Sequence, residues 1–149
     1  MPIRAIAYVS DAAPGMTPDA TVAMIRNAAD FNMQAGVTGI LLHDGARFFQ
    51  YIEGPEDGLA AVYGRILNAT SHINIVELGR ARTGARHFPY GSMQLLPATA
   101  EEVDTLIAGT WDASATQGFA EGNAAPSGLD ALCRFVLRHL PDSAPGHRP

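Results

Sequence analysis

Three polar residues sit in apolar surroundings: Tyr8 near the end of IRAIAYVS, Asn32 late in a helical stretch, and Gln50 in the middle of RFFQYIEG. A phenol and two carboxamides supply hydrogen-bond donors and acceptors, and an amide among large apolar groups costs free energy unless it finds partners. Alternation along a strand puts Phe48, Gln50 and Ile52 on one face and Phe49 and Tyr51 on the other. Gln50 therefore has bulky neighbours whichever face is buried. Two readings stand at this point: a surface glutamine on a half-exposed strand, or an amide held in a site with Tyr8 and Asn32.

Other chemistry is narrower. The five histidines show no ligand spacing with cysteine or carboxylate, which argues against a metal site. All ten basic residues are arginine. A lysine Schiff base and a phosphate-loop lysine are thereby excluded. A bound phosphate must rest on arginine, backbone N–H groups or polar side chains. The glycines of GVTGILLHDG read as helix exit, strand and hairpin rather than as a phosphate loop. Cys133 is the only cysteine; it lies on the apolar stripe of a helix and reads as structural. Glu53 is either an acid or base, or a strand-end carboxylate facing the next helix.

The elements that position these residues follow from periodicity. IRAIAYVS is a strand. Thr17 caps a helix with Pro18 at its first position, Val22, Ile25, Ala28 and Ala29 recur at helical spacing, and Gly36 ends it. VTGILL and RFFQYIE are strands joined by a hairpin at Asp44-Gly45. Pro55 opens a second helix with Leu59, Val62, Tyr63 and Ile66 on one stripe. INIVELGRAR is a fourth strand, and HFPYGSMQLL gives a fifth. The order β-α-β-β-α-β plus one strand is the α+β ferredoxin-like split arrangement, with two helices on one face of the sheet. In it the first and third strands are neighbours, so Tyr8, Asn32 and Gln50 can converge on the groove between the helices. The other face needs a cover. TAEEVDTLIAG, with the capping box Thr99 and Glu102, and LDALCRFVLRHL, with Leu129, Leu132, Cys133, Val136, Leu137 and Leu140 on one stripe, can supply it.

The composition bounds the class. A chain of 149 residues, 47% of them hydrophobic, is enough for one domain with a real core. The formal net charge of −5 disfavours nucleic acid as a partner. No apolar run is long enough to span a bilayer, and the N-terminus reads as a strand rather than a signal peptide. A single cysteine allows no internal disulfide and suits a reducing cytoplasm.

The residues AYVS, then Asn32 and AGVTGILLHDGARFFQYIEG, closely resemble the BLUF domain, a blue-light sensor family that uses FAD. The resemblance runs from Ile3 to about Leu96 and needs no gap between Tyr8 and Met93. It implies that Tyr8 is the photoactive tyrosine, Gln50 the switch glutamine and Met93 the methionine of the last strand. It further implies that Asn32 fixes the flavin's carbonyl edge, and that Ile25, Phe48 and Ile66 wall the ring. His72 matches a histidine after the second helix. The resemblance implies that light moves an electron and then a proton from Tyr8 to the flavin, and that their recombination leaves Gln50 rotated or tautomerised and the flavin absorption shifted to the red. The implied cofactor is FAD, with FMN or riboflavin as alternatives.

The sequence departs from the family's pattern at Phe31, Ala69, Ser71 and Gly91, where polar, acidic, basic and tryptophan residues are usual. The phosphate arm then falls to arginine, with Arg65 and Arg26 as candidates. The expected organisation is a sensor over 1–97, a C-terminal helical extension over 98–141 and a disordered tail over 142–149. No enzymatic output is expected, so the signal would pass to a downstream protein or through a homo-oligomer. Two rival readings are a BLUF-like interaction module without dependable flavin binding, and a small ferredoxin-like enzyme using the same groove.

Overall fold

The computed structural model describes residues 3–89, 91–111 and 127–139. In chain order its elements are β1 (Ile3–Ala12), α1 (Pro18–Ala35), β2 (Thr38–His43), β3 (Arg47–Gly54), α2 (Glu56–Leu67), β4 (His72–Thr83), β5 (Gln94–Pro97), α3 (Ala100–Ala108) and α4 (Gly128–His139). The sheet order is β4-β1-β3-β2-β5. β1 pairs antiparallel with β3 and β4, β2 pairs antiparallel with β3, and β5 runs parallel to β2 at the edge. This is the split β-α-β-β-α-β arrangement with one added strand.

Local chemistry places the boundaries. The Thr17 hydroxyl accepts from the Ala20 amide at 3.1 Å, and Pro18 occupies the first turn, where its missing N–H costs nothing. Gly36, at φ 75°, closes α1 in the left-handed conformation that glycine adopts without strain. The hairpin forms around the Asp44 carboxylate, which accepts from the Ala46 and Arg47 amides at 2.9 and 2.7 Å. Gly58, in the first turn of α2, lies so close to α1 that a Cβ there would fall 2.0 Å from the Ala35 carbonyl oxygen. The two helices can approach at that end only because residue 58 has no side chain.

The sheet is covered on both faces. Ile6, Tyr8 and Ile52 face α1 and α2 and pack with Val37, Leu59, Val62 and Tyr63. Ala5, Ala7, Ile40, Leu42, Phe49 and Tyr51 face the other way, onto Val103, Leu106, Trp111, Leu132, Phe135 and Val136. The C-terminal helices are therefore the cover of the second face. The reciprocal capping box of Thr99 and Glu102 starts α3 as expected.

Two expectations change. The fifth strand was expected over HFPYGSMQLL but covers only Gln94–Pro97, so Met93 precedes it. Pro89 has no N–H to give a ladder. The preceding segment is held by other bonds, from Gly39 N to the Gly91 carbonyl at 3.3 Å and from Asn32 Nδ2 to the Ser92 carbonyl at 3.0 Å. On α4, Leu137 is 77% exposed, whereas Phe135 is buried. The helix turns residues 132, 135 and 136 inward and carries 137 out to water. Leu140 and the expected disordered tail lie outside the described residues.

If α4 covers the sheet, Leu132→Ala should destabilise the fold by about 2–5 kcal/mol, the range for an emptied core leucine. Urea denaturation measures it. A loss below about 0.5 kcal/mol, typical of surface positions, would show that α4 does not form part of the core.

Candidate functional site

A cavity of ≈ 590 Å³ opens between α1 and α2, floored by β1, β3 and the segment before β5. That volume is in the range of small-molecule sites. α1 contributes Ala20, Met24, Ala28 and Asn32, spaced by four and so on one helix face. α2 and its exit contribute Val62, Arg65, Ile66 and residues 68–72. The strands contribute Tyr8, Leu41, Phe48 and Gln50, and Met93 closes the inner end. Apolar walls separate two polar groups, Tyr8, Asn32 and Gln50 toward Met93 and Arg65, Asn68, Thr70, Ser71 and His72 at the exit of α2.

Register builds the first of these groups. Tyr8 and Gln50 are direct cross-strand partners in the β1–β3 ladder. The Tyr8 hydroxyl donates to Gln50 Oε1, and Gln50 Nε2 donates to Met93 Sδ at 3.0 Å. Tyr8 and Gln50 are each 2% exposed. Burial pushes the Tyr8 phenol well above the ordinary tyrosine range, and the neighbouring Tyr63 adds to the effect. An anionic phenolate is thus strongly disfavoured. The atom in contact with the phenolic proton is Gln50 Oε1. The donor end of the amide meets only a thioether, which accepts weakly.

Asn32 is the one buried residue of α1, and its Nδ2 holds the Ser92 carbonyl. It thereby ties α1 to the residue next to Met93. His72 lines the cavity with both ring nitrogens engaged, Nδ1 with Ser10 Oγ at 2.7 Å and Nε2 with the Ile66 carbonyl at 3.2 Å. Since a carbonyl only accepts, Nε2 carries the proton and Nδ1 accepts from Ser10. His72 is a wall that fixes the exit of α2 to β1. Arg65 stands at the exposed rim with its guanidinium 4.5 Å from the Phe31 ring centroid, a cation–π contact.

The structure gathers Tyr8, Asn32, Phe48, Gln50, Arg65, Ile66, His72 and Met93 around one cavity. Ile25 and Arg26 do not line it. Met24 and Ala28 form the wall expected of Ile25, as counting back in fours from Asn32 would have indicated. Glu53 is fully buried on the opposite face, where Oε2 accepts from the His87 and Phe88 amides at 2.7 and 2.6 Å. It anchors that loop rather than serving the cavity. Tyr63, whose ring centroid is 6.1 Å from that of Tyr8, is the aromatic neighbour that sequence reading did not connect with the site. Trp111 packs on Phe49 and Tyr51 across the sheet and donates Nε1–H to the Leu106 carbonyl at 2.7 Å.

These residues suit a flat heteroaromatic ring with a polar edge. The family model described as BLUF, sensors of blue-light using FAD, matches residues 3–94. The blue light- and temperature-regulated antirepressor BluF of Escherichia coli is 39% identical over 89 residues, covering 60% of this chain and 22% of that protein. A solved structure of Klebsiella pneumoniae BlrP1 with FMN and cyclic diGMP matches with TM-score 0.59 and 33% identity over 64% of this chain and 24% of that one. The dark-state structure of the BLUF protein BlrB matches with TM-score 0.67 over 92% of this chain and 96% of that one. At 24% identity the BlrB match speaks for the fold alone.

His72 gives a pH test. Burial holds its imidazole below the ordinary value of 6.5, only partly offset by the bond to the Ile66 carbonyl. Below about pH 6.5 the unfolded chain protonates this residue while the folded chain keeps it neutral. The unfolded state then binds more protons, so stability falls as the pH drops toward the folded value. His72→Gln should remove part of the stability loss between about pH 7 and about pH 5, read from urea midpoints. An unchanged slope in the variant would contradict the assignment.

Proposed function

The chain belongs to the BLUF family of blue-light sensors that use FAD, and from that premise we propose that Tyr8, Gln50 and Met93 form its photoactive relay. The observation that carries this reading is the buried chain of contacts from the Tyr8 hydroxyl through the Gln50 amide to Met93 Sδ. The flavin ring would lie between α1 and α2, walled by Met24, Ala28, Phe48, Val62 and Ile66. Asn32 and Gln50 would face its polar edge, and Arg65 would stand toward its phosphate arm. FMN and riboflavin fit the same walls.

When bound, the flavin supplies a blue-light-absorbing oxidant that accepts one electron. Tyr8 is the donor. Oxidation makes the phenolic proton strongly acidic, and the buried setting cannot hold the separated charge. The phenolic proton would therefore pass to Gln50 Oε1 as Nε2 gives up one of its own toward the flavin it would face, so that the amide stays neutral. Return of electron and proton leaves the Gln50 amide rotated or tautomerised, with donor and acceptor exchanged toward both neighbours. Its bond to Met93 is the weakest in the chain, so Met93 is the side chain freed to move.

Signalling is read as passing to a downstream protein or through a homo-oligomer, without catalysis by this chain. The supporting feature is continuity: Met93 leads directly into β5 and then α3. The sensor would occupy 1–97 and the helical extension 98–141. No helix among the described residues is long and apolar enough to cross a membrane. With its single cysteine, the chain suits a cytoplasmic setting.

On flavin-loaded protein, Gln50→Leu and Tyr8→Phe should each retain the cofactor and abolish the reversible red shift under blue light. A full shift in either variant would overturn the relay. Transient absorption should show tyrosine as the oxidised residue, because Trp111 lies across the sheet from the cavity. A dominant tryptophan radical would contradict Tyr8 as donor.

A further inference from the structure

A second recess of ≈ 320 Å³ lies at the other end of α2, lined by Arg4 and Ile6 of β1, Arg80 and Arg82 of β4, and Glu56, Leu59 and Ala60 of α2. The register puts Arg4 directly opposite Arg82, with Arg80 opposite Ile6. All four side chains share the face that packs against α2, since Ile6 clusters with Leu59 and Val62. Three of the chain's ten arginines thus meet in one groove of an acidic protein.

Like charges placed directly opposite in a ladder are destabilising, and the local carboxylates offset this only in part. Arg4 meets Glu56 at 3.3 Å, with the Glu56 side chain 67% exposed, and Arg80 meets Glu77 at 2.6 Å. Among the described residues Arg82 has no carboxylate within salt-bridge distance. Arg4 Nε is buried with no acceptor, a costly state for a charged donor. An oxyanion seated between Arg4 and Arg82 would supply the missing acceptor and separate the two charges. A phosphoryl group meets this best, because several of its oxygens can accept from two guanidinium forks at once.

We propose that this groove binds the phosphate of a small phosphorylated molecule, at a site separate from the flavin cavity. α2 gives Glu56, Leu59 and Ala60 to the groove and Val62, Arg65 and Ile66 to the cavity, so the two are centred roughly 9 Å apart along the helix at about 1.5 Å per residue. Glu56 would turn to solvent as the anion takes its place on Arg4.

The test is calorimetric titration of the flavin-loaded full chain with inorganic pyrophosphate and, separately, with ADP. One site per chain is expected, weakened by added salt. Arg82→Gln and Arg4→Gln should each weaken it about tenfold or more, the scale of a lost charge-assisted bond. Glu56→Gln should tighten it. Equal affinity for the two probes would place recognition in the phosphates alone; tighter ADP binding would extend it to the nucleoside. The unshifted flavin spectrum of Arg82→Gln, a change at an exposed residue, checks that the variant is folded. No heat of binding from either probe at millimolar concentration, or undiminished binding in Arg82→Gln, would overturn the proposal.

Discussion

The structure depends on how one buried amide is satisfied. Gln50 has an acceptor end and a donor end, and both are enclosed. Tyr8 fills the acceptor end with a strong donor, while the donor end reaches only the Met93 thioether. A fully satisfied amide would be locked, and an unsatisfied one would cost about 1–3 kcal/mol. Gln50 stands between these limits, which suits the change of partners proposed for it. The sheet enforces it: Tyr8 faces Gln50 because β1 and β3 pair in that register, and a slip of one residue would turn Gln50 to the opposite face.

The same sheet separates the cavity from the helical cover. The α1–α2 face holds the cavity, and the other face holds Trp111, α3 and α4. The segment between β4 and β5 reaches both sides. Its Phe88 packs edge-on against Tyr51 at 5.5 Å, next to Trp111, while its Ser92 and Met93 meet Asn32 and Gln50. Arg86 ties the segment to the Gly36 carbonyl at 2.6 Å and the Glu53 carbonyl at 3.1 Å, and the Glu53 carboxylate holds it at His87 and Phe88. In the proposed relay, a shift at Met93 would start between these anchors on one side and β5, which leads on to α3, on the other. Two-state coupling of this kind is usually worth a few kcal/mol.

Much of this was legible in the sequence. Thr17–Pro18, Asp44-Gly45 and the Thr99–Glu102 box each state a boundary in local chemistry, and each forms as read. Gln50 among aromatics pointed to a site because buried amides need partners. What remained hidden depends on tertiary distance. Local alternation extended β5 back through Met93, whereas Asn32 and Gly39 hold that segment outside any ladder. The family resemblance implied Ile25 as a wall, yet the face set by Asn32 runs through Ala28 and Met24. Glu53 read as an acid or base or, more commonly for its position, as a strand-end carboxylate facing the next helix, and the amides of His87 and Phe88 hold it instead on the opposite face. The opposed arginines at 4 and 82 are 78 positions apart and meet only through the β1–β4 register.

The central claim is that light changes the state of the Gln50 amide. The most direct measurement is a light-minus-dark infrared difference spectrum of flavin-loaded protein carrying isotope-labelled glutamine side-chain amides, compared with unlabelled protein. The account predicts amide bands that move with the label in the wild type and vanish from the difference spectrum in Gln50→Leu. A difference spectrum with a normal flavin signal and no label-sensitive band would contradict it.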